Sequence, residues 1–593
     1  MSQTVQRLGK IREIMAERNI DAFFLSTFDE YLSEYVPARN QRLNWLTGFT
    51  GSTGAAVILA DTAAMFVDGR YTVQVRQQVD GDAFQYKHLI EEPYADWLLE
   101  QLSSGQRVGL DSRMMSLDAY MDLRTKLEKS GIELVELNEH PVDRIWQDRP
   151  EENVQQGMLL SMDYTGMSSE TKRHLIADKL KQNGQDVALI FAADSVAWLL
   201  NVRGRDIPAT PVILGYALIY KDASVTWFTN PAKIPAGFDT HVGGNVTVMD
   251  ETKAKDVLAD LAGTKVLADP MTANAWTQLT IERGGAELVA GQDPVLLPKA
   301  AKNTTEQKGM RQAHIRDGVA EVKFLYWLDS SLQAGESFDE AQLSDKLFSF
   351  RAQQDKFQEV SFSTISAAGS NAAMCHYNHN NGTPAQLPKN GVYLVDSGGQ
   401  YLDGTTDITR TVAIGEPDEE IRQQFTRVLK GYIALQTARF PKGTTGTQLD
   451  VLARQFLWQH GFDYDHGTGH GVGTFLGVHE GPQRISKALN STGLEPGMVV
   501  SNEPGYYKAG AYGIRCENLV MVQEAKQLGG DIPMLEFEVL TLAPFDIRLV
   551  DKSIMTEVEI AWLNDYHARV NQTLSPMLNE KEQAWLAQAT RAI

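Results

Sequence analysis

Five side chains that bind hard metal ions, Asp396, Asp407, His470, Glu503 and Glu517, each stand where an apolar strand-like run or a glycine-rich turn ends. The segment GVYLVDSGGQYLDGTTDITRTVAIG reads as two strands joined through Asp403-Gly404, so that Asp396 leaves one buried strand and Asp407 leads into the next. HGTGHGVG carries His466 and His470 among four glycines, which permit tight turns and close backbone approach. GMVVSNEPGYY puts Glu503 directly after a third strand, and GIRCENLVMV puts Glu517 at the head of a fourth. Charged groups in so apolar a setting cost several kcal/mol unless a cation pairs with them. Four carboxylates and one imidazole suit two neighbouring divalent cations, some of the carboxylates bridging. A single aspartate after a strand is more often a turn residue or a helix cap. HxxxH among glycines also serves as a structural turn or an ordinary zinc pair. The conjunction of four such segments is what points to a metal centre.

The rest of the chain bounds the setting of that centre. At 593 residues it exceeds one ordinary core, so two to four domains are expected. A hydrophobic fraction of 43% with 22% charged residues belongs to a globular protein and not to a disordered one. A formal net charge of −21 argues against a nucleic-acid partner, which needs basic patches. The opening MSQTVQRLGKIREIM lacks the apolar centre of a secretory signal. No stretch approaches the ~20 apolar residues that span a bilayer, so no membrane partner is expected. With only Cys375 and Cys516, a disulfide framework is not available, and the reducing cytoplasm is the expected compartment.

Strands alternate with helices along the first half, as in an α/β layer domain: DAFFLSTF, AAVILA, TAAMFV closed by Asp68-Gly69-Arg70, and RVGLDSRMMSL ahead of the helical MDLRTKLEKSG. Periodicity stops near Trp146–Pro150, and then the order recurs. DVALIFAADSVAWLLNVRG, VTWFTNPAKI and KVLADPMTANAWTQL follow the earlier runs at a spacing of roughly 155 residues, too long for a solenoid repeat. LLPKAAKNTTEQ reads as a linker. From Lys308 the stripe Met310, Ile315, Val319, Val322, Leu325, Leu328 predicts a long helix with a buried face and no chemistry. Helices are further expected at 419–439 and 446–460, with two amphipathic helices closing the chain.

DSGGQYLDGTTDITRT, HGTGHGVG, NEPGYY and GIRCEN resemble the pita-bread metallopeptidase superfamily of methionine aminopeptidases, prolidases and aminopeptidases P, over roughly residues 308–545. SEYVPARNQRLNWLTGFTGS, FVDGRYTVQV and AWLLNVRG are similar to creatinase-type N-terminal domains. The implied architecture is α/β and α+β multidomain: two tandem creatinase-type N-terminal α/β domains, 1–155 and 156–305, then a pita-bread catalytic domain with a C-terminal helical extension, 306–593. This layout is similar to the long form of the Xaa-Pro aminopeptidase family.

That resemblance implies site roles position by position. Asp396 corresponds to the ligand that chelates one metal, Asp407 and Glu517 to bridges between both, and His470 and Glu503 to the remaining ligands. His376, His466 and His479 match the substrate-handling histidines, Arg515 a supporting arginine, and Tyr507 a site-lining aromatic. Val478, with His466 and His479, matches the wall of a proline-ring pocket. NHNNGTP after His376-Tyr377 departs from the family pattern, and His379 within it is expected to be solvent-exposed. Cys516 is expected to be a packed thiol and not a nucleophile. The implied activity is hydrolysis of the N-terminal Xaa-Pro bond of peptides by a hydroxide bridging two metals about 3–4 Å apart. Glu503 would relay the proton, and His376 and His479 would steady the oxyanion. Hard, carboxylate-rich ligation favours manganese, with cobalt or zinc as substitutes. Peptides with proline second are the expected partners, and a homodimer the expected assembly. The alternatives are a prolidase, which cleaves only dipeptides, and a non-catalytic peptide-binding relative.

Overall fold

The computed structural model describes residues 2–526 and 529–593 and divides them into two compact units, residues 2–160 with 167–296, and 161–166 with 297–593.

The first unit holds two six-stranded sheets of one topology. In the first, the spatial order is Gln85–His88, Ala63–Val67, Gly54–Leu59, Ala22–Ser26, Arg107–Leu110, Glu133–Glu136. In the second it is Val246–Met249, Val225–Phe228, Tyr216–Tyr220, Val187–Ile190, Lys265–Ala268, Glu287–Ala290. Corresponding neighbours pair in the same sense: Ala22–Ser26 is antiparallel to Gly54–Leu59 and parallel to Arg107–Leu110, and Val187–Ile190 is antiparallel to Tyr216–Tyr220 and parallel to Lys265–Ala268. The duplication read from the sequence is thus a repeat of topology.

Ala22–Ser26 is apolar at every position because both faces of its sheet are covered. Phe23 and Leu25 pack with Leu8, Ile11 and Met15 of the helix Gln3–Glu17, while Ala22 and Phe24 pack with Trp97, Leu98 and Leu127 on the opposite face. The two halves of the unit are tied by an antiparallel bridge between Ser116 and Asn274 and by a hydrogen bond of 2.6 Å from the Tyr31 hydroxyl to Glu251 Oε1.

In the second unit the helix Thr304–Gln333 opens on a capping box, with Asn303 and Glu306 satisfying each other's end of the helix. Its expected stripe is buried at Met310, Val319, Val322, Leu325 and Leu328. Gly309 lets the turn at Asp403-Gly404 lie against this helix, since a Cβ there would meet the Asp403 carbonyl oxygen at 2.3 Å. Asp403 itself is held by Arg316 and Lys356. A three-stranded sheet of Ile365–Ala368, Gly391–Ser397 and Ile408–Ile414 and a six-stranded sheet containing Gly469–Gly471, Val499–Asn502 and Asn518–Glu524 carry the residues discussed below. Helices run over Glu419–Gln436 and Gly446–Trp458, slightly shorter than expected, and Glu557–Leu574 and Glu580–Ala589 close the chain.

LLPKAAKNTTEQ spans the division between the two units at Leu296/Leu297 and is ordered: it begins in a short helix, Leu296–Ala300, and Lys299 and Lys302 are both buried on the two carboxylate oxygens of Glu480. The ammonium groups are taken out of water because each finds a carboxylate oxygen. One expectation is corrected: His379 is only 6% exposed, the one buried residue of the turn His379–Asn381, and burial lowers its pKa. Polar neighbours in sequence had suggested solvent, but the fold covers the ring.

Candidate metal centre

Pairing of Gly391–Ser397 with Ile408–Ile414 sets Asp396 opposite Thr409, with Asp407 one residue ahead of the second strand. Glu503 directly follows Val499–Asn502, and Glu517 lies between Tyr512–Arg515 and Asn518–Glu524. His470 is the middle residue of Gly469–Gly471. The glycines around it act through close approach: a Cβ on Gly469 would meet the Ser501 carbonyl oxygen at 2.0 Å. Residues from two sheets therefore face one volume.

Ligand atoms of Asp407, His470 and Glu517 lie within 4.8 Å of one another. His470 Nε2 is 3.5 Å from Asp407 Oδ2 and 3.5 Å from Glu503 Oε1. Its Nδ1 is 3.0 Å from the Gly471 carbonyl oxygen, which only accepts, so Nδ1 carries a proton and Nε2 is aimed at the carboxylates. Asp396 joins through Arg515, whose Nη2 donates to Asp396 Oδ2. Arg515 Nε donates to Thr409 Oγ1 at 3.0 Å and Nη1 to the Tyr507 hydroxyl at 2.7 Å. That hydroxyl also meets His466 Nε2 at 2.8 Å, and His466 Nδ1 is 3.9 Å from Glu503 Oε2. The His479 ring stands edge-on to His470 at 4.3 Å between centroids. Val478 is buried beside it. His376 is half-buried beyond the turn Gly369–Ala373, which packs on Tyr512–Arg515, and its neighbour Cys375 lies near Tyr507.

The electrostatics fit a cationic guest. Burial above all, with Asp407 and Glu503 nearby, pushes Asp396 up to about 7 against the pull of Arg515. Burial and Asp407 likewise raise Glu503, and burial with Asp407, Glu503 and Asp396 raises Glu517 far above the carboxylate range. Burial opposes charge on His470, yet Asp407 and Glu503 hold its pKa up at about 9. Asp396 Oδ1 is buried and meets no hydrogen-bond donor among the described residues. Hard oxygens crowded in this way, one of them without a donor, match the coordination preference of divalent cations.

Two supporting residues escaped the sequence reading. Thr409 Oγ1 donates to Glu517 Oε2 at 2.5 Å, and Ser501 Oγ sits between the His470 backbone N–H at 3.0 Å and Glu503 Oε1 at 3.1 Å. The signal was available: Thr409 and Thr411 alternate on one face of a strand, and Ser501 lies two residues before Glu503 on the same face. Cys516 points the other way, 1% exposed in the core with Tyr506 and Ile514, and burial pushes its thiol up to about 12.

The chain matches metallopeptidase family M24 over residues 308–524, the C-terminal region of that family over 533–593, and the creatinase/prolidase N-terminal domain twice, over 7–145 and 148–306. It is 39% identical to a protein of Paracoccidioides brasiliensis named "Probable Xaa-Pro aminopeptidase P", over all of this chain and 99% of that one. A Tuber melanosporum protein of the same name is 37% identical with the same coverage. The crystal structure of X-prolyl aminopeptidase from Caenorhabditis elegans, described as a cytosolic enzyme with a di-nuclear active site, superposes with a TM-score of 0.95 at 34% identity, covering 100% of both chains.

Proposed function

The chain belongs to metallopeptidase family M24, among the Xaa-Pro aminopeptidases P, and from that membership we propose that it removes the N-terminal residue from peptides whose second residue is proline. The observation that carries this reading is the convergence of Asp407, His470 and Glu517 within coordination reach of one another, beside the uncompensated oxygen of Asp396.

Asp396, Asp407, His470, Glu503 and Glu517 would hold two divalent cations, manganese first on grounds of ligand hardness. When bound, such a pair supplies an activated bridging water and Lewis-acid polarisation of the scissile carbonyl. The chain's own residues do the rest. Glu503 is held by Ser501 at 3.1 Å with His470 beside it, which suits it to take and return a proton. Arg515 balances Asp396 and fixes Tyr507, and Tyr507 fixes His466. His466, Val478 and His479 would receive the proline ring, with His376 and His479 near the developing oxyanion. Selectivity follows from the substrate: an Xaa-Pro bond lacks an N–H and its ring restricts the chain, so a site that asks for neither accepts it. Among the described residues no helix is long and apolar enough to cross a membrane. A cytosolic homodimer is the setting we propose.

Metal analysis together with cleavage of an Arg-Pro-Pro peptide tests this reading. Release of the N-terminal arginine by the wild-type protein, and loss of both metal and turnover in Asp407→Asn, are expected. Cleavage confined to dipeptides would make the protein a prolidase, and full turnover in Asp407→Asn would remove the metal mechanism.

A further inference from the structure

Beneath the metal centre lies a buried arginine that the reaction does not use. Successive residues of a strand face opposite sides, so while Thr409 turns toward the carboxylate of Glu517, Arg410 turns away from the site. Arg410 is 2% exposed, and all three guanidinium nitrogens are engaged. Nη1 donates to the carbonyl oxygens of Thr409 at 2.9 Å and Glu517 at 2.6 Å. Nη2 donates to Asn518 Oδ1 at 2.8 Å, the Ala543 carbonyl at 2.8 Å and the Tyr566 hydroxyl at 3.2 Å, and Nε to the Pro544 carbonyl at 3.0 Å. One planar fork thus ties the strand that follows Asp407 to the strand that Glu517 precedes, and both to the C-terminal region.

Tyr566 is the far end of this clamp. It sits on the helix Glu557–Leu574, its ring stacked on Trp562 at 5.4 Å. Its hydroxyl donates to the Ala543 carbonyl at 2.8 Å and accepts from Arg410 and, at 3.3 Å, from Asn518 Nδ2. The Arg410 guanidinium also lies over the Phe545 ring, 4.2 Å from its centroid.

We propose that Tyr566 is a positioning residue: through Arg410 it fixes the backbone of Glu517 and Thr409, so that the C-terminal helix sets the geometry of the metal ligands. This rests on the metallopeptidase reading. Partners that orient metal ligands typically change metal affinity by about 10- to 100-fold when removed. A hydroxyl at one remove, acting through Arg410, belongs at the lower end of that range.

The test uses the full chain stripped of metal with chelator and titrated with manganese(II) chloride alone, alongside kinetics on an Arg-Pro-Pro peptide. Tyr566→Phe keeps the ring stack and deletes only the hydroxyl. It is expected to bind manganese about tenfold more weakly and to lose kcat while KM stays unchanged. Leu574→Ala, a buried cavity variant on the same helix that takes no part in the Arg410 hydrogen bonds, is expected to lower the melting temperature yet bind manganese as the wild type does. Unchanged binding and kcat in Tyr566→Phe would overturn the proposal. So would equal weakening in Leu574→Ala, which would make the effect one of general stability. A wild-type protein that binds neither manganese, cobalt nor zinc would overturn the two-cation reading itself, whereas wild-type binding with an unaffected Tyr566→Phe overturns this inference alone.

Discussion

Asp407 Oδ2 lies 3.5 Å from His470 Nε2, although Asp407 leads into a strand of one sheet and His470 lies in a strand of another. No local pattern brings them together. The approach depends on the six-stranded sheet presenting Gly469–Gly471 toward the mouth of the Gly391–Ser397 and Ile408–Ile414 pair.

Removing divalent cations should destabilise the C-terminal unit. Asp396, Glu503 and Glu517 are then left buried without a cation, a setting in which burial first, and neighbouring carboxylates second, raise their pKa values. Manganese restored at about 100 times its dissociation constant should return about 2.7 kcal/mol. Calorimetric scans of chelated and reloaded protein measure this, and coincident transitions would contradict it.

Gly469→Ala should damage both stability and metal binding. Its Cβ would sit 2.0 Å from the Ser501 carbonyl oxygen, backbone that cannot rotate away, so the strands must part. Overpacking of this kind costs about 1–3 kcal/mol. Because Ser501 also holds His470 and Glu503, metal content should fall with the melting temperature. Full metal loading in this variant would show that the strand spacing does not govern the site.

Arg515→Lys should keep the charge and lose the function of the fork. One ammonium cannot reach Asp396, Thr409 and Tyr507 together as the guanidinium does. A fall in kcat of about 10² is expected, as for loss of one preorganised group around a reacting centre. Steady-state kinetics on an Xaa-Pro tripeptide, with metal content measured in parallel, would expose a lysine that suffices.

Acid should weaken the C-terminal unit through His567. Burial holds this imidazole neutral, lowering its pKa from 6.5 to about 4, and its Nε2 accepts the Phe545 N–H at 3.1 Å. The unfolded chain takes up the proton first as pH falls, so the stabilisation is complete above about 6.5 and is lost progressively toward pH 4. The loss amounts to about 2 kcal/mol between pH 7 and pH 5. His567→Gln keeps an acceptor for Phe545 and cannot titrate, so its melting temperature should fall less between those two pH values. Parallel pH dependences in the two proteins would contradict the assignment.

Much of this was legible along the chain. Apolar runs such as AFFLS mark strands covered on both faces, and the stripe from Met310 to Leu328 marks a helix with one buried side, because periodicity is a property of neighbouring residues. The alternation of threonines at 409 and 411 was equally visible, but its meaning was not, since nothing local says that Arg515 stands across from it.

The sequence by itself determined which side chains are candidates to hold a cation, which runs must be buried, and that the two N-terminal halves repeat. Tertiary structure alone decided the environment of each polar group: that Lys299 and Lys302 meet Glu480 away from water, that His379 is covered, and that Arg410 reaches from Glu517 to Tyr566. Desolvation and hydrogen bonding depend on atoms brought near by folding from distant parts of the chain, and a residue's immediate neighbours carry no record of them.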